Sequence, residues 1–310
     1  MATTLHPVPM TLPGRAAETG TIPAPHAATR PAPGPAYWLS GLLAPVVVGV
    51  AVIGLLVPGI FRDPAVMAGS ARGVGVASLA FALPALLGAM VRVARGSRLA
   101  SLVWLGALGD LLYWSVYFAF GAAFNRLFLA YVAMFGLALW ALAALLASGG
   151  LAAVRGNDAG RWPGRLVALF LLYPTVLPTL ASLRLILAAM AAGTVPASVV
   201  GTQLPADPFQ VLGLAVVGPL GVGAAIGLWR GRAWGDALAV AFLTYWALAT
   251  ASIAADQWFA HRADPASPLA SPAGTPLFAA QALVTLVVLI GFARYLDRRS
   301  ASSCGRLSVQ

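Results

Sequence analysis

Eight apolar stretches, each close to the length of a membrane-spanning helix, leave this chain few alternatives. They run roughly over 37–58, 74–93, 99–122, 127–148, 166–192, 209–229, 236–256 and 276–293. A helix needs ~20 apolar residues to cross a hydrocarbon core of ~30 Å. Inside that core only helices and closed barrels satisfy every backbone donor and acceptor. The spacing therefore predicts an all-α fold, a polytopic transmembrane helix bundle of about eight spanning helices over 37–296. Composition agrees, with 60% apolar and only 9% charged residues, where soluble domains run near a quarter charged. Residues 1–36, rich in Pro, Ala and Thr and without periodicity, read as a disordered cytoplasmic tail. Residues 297–310 read as a second cytoplasmic tail. The first apolar run begins only at Tyr37, which argues for a retained anchor and against a cleavable signal peptide.

All the basic side chains are arginine, and apart from Arg184 they sit in the tails, in the loops or at the ends of the spans. If the N-terminus is inside, one side collects the Arg92/Arg95/Arg98 turn, the loop with Arg155, Arg161 and Arg165, the Arg230/Arg232 turn and both termini. Arg62, Arg72, Arg126 and Arg262 fall on the other. That asymmetry follows the positive-inside rule through all eight spans, placing both termini in the cytoplasm of a cell with a single inner membrane. The net charge of +10 is thus a signature of orientation, and nucleic acid is not an expected partner.

A weak repeat runs through the chain. Pro84 precedes Arg95-Gly96-Ser97-Arg98 by eleven residues, and Pro219 precedes Arg230-Gly231-Arg232 by the same interval. Leu127-Phe128 and Leu277-Phe278 both open a predicted span. A duplicated four-helix unit, with halves 37–150 and 164–296, fits this pattern. Similarity among arginine-capped hairpins fits it equally well.

Several chemistries are excluded. The longest loop between predicted spans, about twenty residues after Asp256, is too short for a folded catalytic domain. His6, His26 and His261 lie outside the spans, which removes bis-His haem and helix-borne zinc. There is no lysine for a Schiff base and no GxSxG elbow. Gly106-Ala-Leu-Gly109-Asp110 brushes against a GxGD motif but does not match its glycine spacing, and no second acid in the spans forms a dyad. Asp256, His261 and Asp264 match no metal motif and read as solvated loop residues. Cys304, the only cysteine, has no disulfide partner. No enzyme, metal or cofactor is expected.

Two ionised residues lie deep in predicted spans, and such residues are functional candidates by default, each costing on the order of 3 kcal/mol at mid-membrane. Asp110 lies twelve residues beyond Arg98, roughly 18 Å along the helix, and Arg184 nineteen beyond Arg165, roughly 28 Å. An ion pair, a coupling role in transport, and an Arg184 that snorkels to the interface are the three readings. Asp110, Tyr113, Trp114, Tyr117, Gly121 and Phe124 share helical spacing and form a stripe, continued by Asn125, Phe128 and Tyr131 across the next turn. The stripe predicts an aromatic-lined cavity open to the far side, or else an interfacial aromatic belt. Asp110, Arg184, Tyr117, Tyr113 and Asn125 are the candidate ligand-binding or coupling residues. Pro174 and Pro178 predict a kink in the fifth span, and Gly223-x-x-x-Gly227 a close helix contact.

The run Phe120-Gly-Ala-Ala-Phe-Asn125-Arg-Leu-Phe-Leu-Ala-Tyr131-Val132 resembles a stretch of uncharacterised bacterial multipass membrane proteins, chiefly over the third and fourth spans. The resemblance implies a bacterial inner-membrane bundle and no assigned activity. The leading expectation is a non-enzymatic binding, scaffold or accessory protein in the lipid bilayer, contacting a small ligand or another membrane protein. A small secondary transporter coupled through Asp110 is the alternative, and an intramembrane enzyme a remote one.

Overall fold

The structure, a computed structural model, describes residues 34–149 and 161–307; of the tail expected over 1–36, residues 1–33 lie outside the described residues and Pro35 and Ala36 already belong to the first helix. Eight helices are long and apolar enough to cross a membrane, and the protein is a multipass membrane protein. They are α1 (Pro35–Leu56), α2 (Ala65–Ala94), α3 (Leu99–Phe120), α4 (Phe128–Ala147), α5 (Arg161–Ala192), α6 (Pro208–Trp229), α7 (Ala233–Ala263) and α8 (Gly274–Leu307). Among the described residues there is no strand.

Three helices outrun their apolar windows. The helix α2 begins nine residues before the predicted 74, and α7 continues seven past 256. The two extensions pack on each other. A β-carbon on Gly69 would stand 2.6 Å from Phe259 O and 2.7 Å from the Ala263 side chain, and one on Gly73 would meet the backbone of Ala255 and Asp256. Small residues let the backbones approach, and this contact sustains helix where hydropathy has already fallen. Asp256 is therefore a helical residue, half-buried against α2, and the loop reading is corrected. At the chain's end, α8 runs through Leu307, so the tail expected over 297–310 is helical for most of its length. The fifth span is one helix through Pro174 and Pro178.

The first four helices close on themselves, with α1 packed on α2 and α4, and α3 on α2 and α4. In the second four, α6 packs on α5 and α7, and α7 on α8, whereas α5 and α8 barely meet. The central helix is α7, which also packs along α2 and α3.

The two halves share details that generic hairpins do not require. Each has a five-residue π-turn in its second helix, Ser78–Ala82 in α2 and Gly213–Val217 in α6. Leu83 N–H reaches Ser78 O, and Gly218 N–H reaches Gly213 O, each five residues back. A proline follows at once, Pro84 or Pro219. Both helices then end in the same cap: Ser97 N–H donates to Arg92 O and Arg232 N–H to Gly227 O, both at 2.9 Å. The turn glycines Gly96 (φ +92°) and Gly231 (φ +64°) adopt the left-handed conformation this cap needs. Every pair (78 and 213, 84 and 219, 96 and 231) stands 135 residues apart. The Leu-Phe pairs do not share this register. Phe128 opens α4, but α8 opens at Gly274, ahead of Leu277, because the preceding loop is longer.

The halves meet where α3 crosses α7. A β-carbon on Gly106 would strike Ala241 O and, at 2.5 Å, Thr244 Cβ. Positions 106 and 241 are again 135 apart, as a pseudo-two-fold contact demands. Of the Gly223/Gly227 pair, only Gly227 makes a close contact, against Gly235 and Trp234 of α7. We expect Gly106→Val to lower stability by about 1–3 kcal/mol through overpacking, measured by thermal unfolding in detergent. Gly136→Val, on α4 with open space around it, should change stability by less than about 0.5 kcal/mol.

Candidate functional site

Asp110 lies halfway along α3, one turn from the Gly106 crossing. Its side chain is fully buried, and neither carboxylate oxygen has a hydrogen-bond partner. Trp114, one turn on, is its polar neighbour, but the indole N–H falls short of hydrogen-bond geometry and is also left without a partner. Tyr113 and, from α7, Tyr245 lie within electrostatic reach of the carboxyl, and their rings are 5.8 Å apart. Tyr245 occupies the position of Asp110 in the second half, 135 residues on.

The stripe continues away from the arginine-rich end through Tyr113, Trp114 and Tyr117, but no open cavity lies along it. Phe209, on the first turn of α6, fills the space. Its ring stacks on Tyr113 at 5.2 Å and on Tyr117 at 5.0 Å, and meets Trp114 edge-on at 5.2 Å. Local sequence sets Phe209 there. Asp207 caps the turn by accepting from Phe209 N (2.9 Å) and Gln210 N (3.3 Å), and Pro208 follows the cap. Of the two readings of the stripe, these contacts support packing over an open cavity, because an aromatic from another helix occupies the space. A void beside Leu111 and Trp114 measures about 10 Å³, room for one water. Gly121 and Phe124 leave the stripe, with Phe124 exposed at 72%.

Asn125 is buried and works locally. Its Oδ1 accepts from Leu127 N at 2.8 Å, and its Nδ2 donates to Ala123 O at 3.0 Å and Tyr131 Oη at 3.3 Å. This turn sets the start of α4. Asp63 reinforces it by accepting from Ala123 N at 2.7 Å.

Arg184 does not join the site. It is exposed on α5, two turns from that helix's end, while Asp110 is enclosed between α3 and α7. The expected ion pair is corrected: α5 packs chiefly on α6, and the guanidinium stays on the outer surface. Arg299 pairs with Asp236, at 3.8 Å, at the arginine-rich end.

Three contributors escaped the sequence reading. Phe209 had no signal, because it opens a span whose face could not be assigned. Tyr245 would have emerged from a 135-residue register. Asp256 lies eleven residues, or three turns, beyond Tyr245 and so shares its face. Asp256 Oδ2 accepts from Gln257 Nε2 at 3.0 Å, and Ser70 of α2 lies beside both Asp256 and Tyr117. Asp110, Tyr113, Tyr117, Ser70 and Asp256 thereby form a polar line from mid-bundle toward the far end. No family model, curated protein or solved structure matches the chain.

Because Asp110 and Arg184 are separated, Asp110→Asn and Arg184→Gln should act independently. The stability change of the double variant should equal the sum of the singles within about 0.5 kcal/mol. A recovery of stability in the double variant would show a pair.

Proposed function

We propose that this protein is a small secondary carrier, with its arginine-rich end in the cytoplasm, and that Asp110 is its coupling group. One observation carries the reading: a carboxyl group halfway along a spanning helix, fully buried and without a partner. An ionised carboxylate there is costly. It must be neutralised by a proton or by a cation, and exchange between the two is the elementary step of coupling. A scaffold has no need of that group, and an apolar residue in its place would stabilise the bundle.

The surroundings support the same reading. Asp110 lies beside the crossing of two four-helix halves, and carriers built from repeats bind near the bilayer midplane at the repeat interface. The second helix of each half carries a π-turn and a proline at matching depth, where a helix can bend without orphaning backbone groups. Toward the cytoplasm the path is shut by the backbone contact of Gly106 with Ala241. Away from it the path is shut by Phe209 stacked on Tyr113 and Tyr117. Both closures lie on elements adjoining the crossing or a π-turn, as alternating access requires. Between Phe209 and the far end, Tyr117, Ser70 and Asp256 offer hydroxyl and carboxyl groups for proton transfer. The transported solute is expected to be small, and apolar or cationic, given the aromatic rings around the acid.

Asp110→Asn keeps the shape and removes the charge. In proteoliposomes challenged with a panel of small cationic and neutral solutes, the wild type should show uptake driven by an imposed pH gradient, and the variant none. The variant should melt at the same temperature or a few degrees higher, as removal of an unpaired buried acid predicts. Gradient-driven uptake retained in Asp110→Asn would refute the coupling role.

The Phe209 closure has its own test. With Cys304 replaced by Ser and Tyr113 by Cys, thiol labelling from the far side should be slow. Adding Phe209→Ala should accelerate it about tenfold or more, since the aromatic seal over position 113 is lost.

A further inference from the structure

A second site lies at the far end, in the loop that joins α7 to α8. A cleft of about 420 Å³ is bounded by Trp258, His261 and Arg262 on α7 and by Pro265, Pro272 and Thr275 on the loop and the first turn of α8. The loop is fastened on two sides. Gln257 Oε1 accepts from Ser271 N at 3.0 Å, and a β-carbon on Gly274 would stand 2.9 Å from the same Oε1. Ala270 is buried against Ala260 and Val66, with Leu269 packed beside them. Two prolines in the wall remove backbone freedom. The cleft is therefore preformed.

Its chemistry is cationic and unsatisfied. The Arg262 guanidinium is exposed, lies 5.0 Å from the centre of the Trp258 ring, and has no ion pair among the described residues. His261 Nδ1 and Thr275 Oγ1 are buried with no hydrogen-bond partner. Two acids lie near, Asp264 accepting from Ala266 N at 3.2 Å and Asp256 from Gln257, and neither pairs with Arg262. The first-turn amides of α8 add positive potential beside Thr275. Buried polar atoms are normally partnered, so two idle ones beside an unpaired guanidinium mark a place for an acceptor-rich anion.

We infer that this cleft binds an anionic phosphate group through Arg262, His261 and Thr275. Arg262 supplies the fork that phosphate oxygens accept, Thr275 a hydroxyl donor and His261 a ring nitrogen. Trp258 covers the apolar stem of Arg262 and borders the group carried by the phosphate. Two sources present this chemistry, the headgroup of an anionic phospholipid and a free phosphate. The site is independent of the carrier reading, since Asp110 takes no part in it.

The test uses the full-length protein in a neutral detergent, titrated separately with dioctanoyl phosphatidylglycerol and with inorganic phosphate, and read as binding and as a rise in melting temperature. Saturable binding of either probe is expected. Binding of the lipid alone would assign the site to a headgroup, and equal or tighter binding of phosphate to a free anion. Arg262→Gln combined with Thr275→Val should weaken binding about tenfold or more, as loss of charge-assisted bonds predicts. Arg262→Lys, which keeps the charge and loses the fork, should weaken binding less than Arg262→Gln, and Asp110→Asn should leave it unchanged. Arg262 is exposed and the Thr275 hydroxyl has no partner in the fold to lose, so the unliganded melting temperature should hold, which separates lost binding from lost fold. Absence of binding by either probe, or unchanged affinity in the double variant, overturns the proposal.

Discussion

The close approach of α3 and α7 at Gly106 and Ala241 governs the rest of this structure. In a bilayer the helices gain no hydrophobic advantage from each other over lipid, so association rests on van der Waals contact and on how near two backbones can come. Glycine at 106 permits that approach, and the same device recurs where Gly69 and Gly73 of α2 meet the far half of α7, and where Gly227 of α6 meets Gly235. With three helices pressed onto it, α7 becomes the axis of the bundle. The helices α4, α5 and α8 are the least buried and are left with broad outer surfaces. One consequence is local: the carboxyl one turn past the crossing is enclosed by protein, with no route for its charge to reach either surface.

Much of this was legible in the sequence. Eight spans, their order and their arginine-marked turns follow from apolar length and charge placement alone, because the bilayer imposes both. The duplication was half visible. Pro84 and Pro219 stand in register, and so do the glycine turns after them, but the Leu-Phe pairs do not. What the chain hid were the π-turns, which leave no compositional mark and yet make the correspondence specific.

The candidate site was legible only where one helix determines it. Asp110, Tyr113 and Tyr117 follow from spacing on α3. The three readings of Arg184 could not be separated because depth along a helix can be counted in residues, whereas the direction a helix faces depends on its neighbours. Asp256 was misjudged because hydropathy fails at a helix end that is held by packing rather than by lipid. Phe209 and Tyr245 reach the site from other helices and could not have been placed without the fold.

The correspondence of Asp110 with Tyr245 bears on energetics. Position 245, 135 residues beyond Asp110, holds a phenol and not a second acid. A carrier working through Asp110 alone, as proposed above, would move one proton per cycle through the enclosed position. Its driving force is then bounded at about 1.4 kcal/mol for each pH unit across the membrane, with about 2.3 kcal/mol more per 100 mV if the step carries net charge. From a pH difference of one unit it can sustain only about a tenfold accumulation of a neutral solute. Such a transporter suits a compound that the cell gathers modestly or expels steadily, and is ill matched to scavenging at trace concentration.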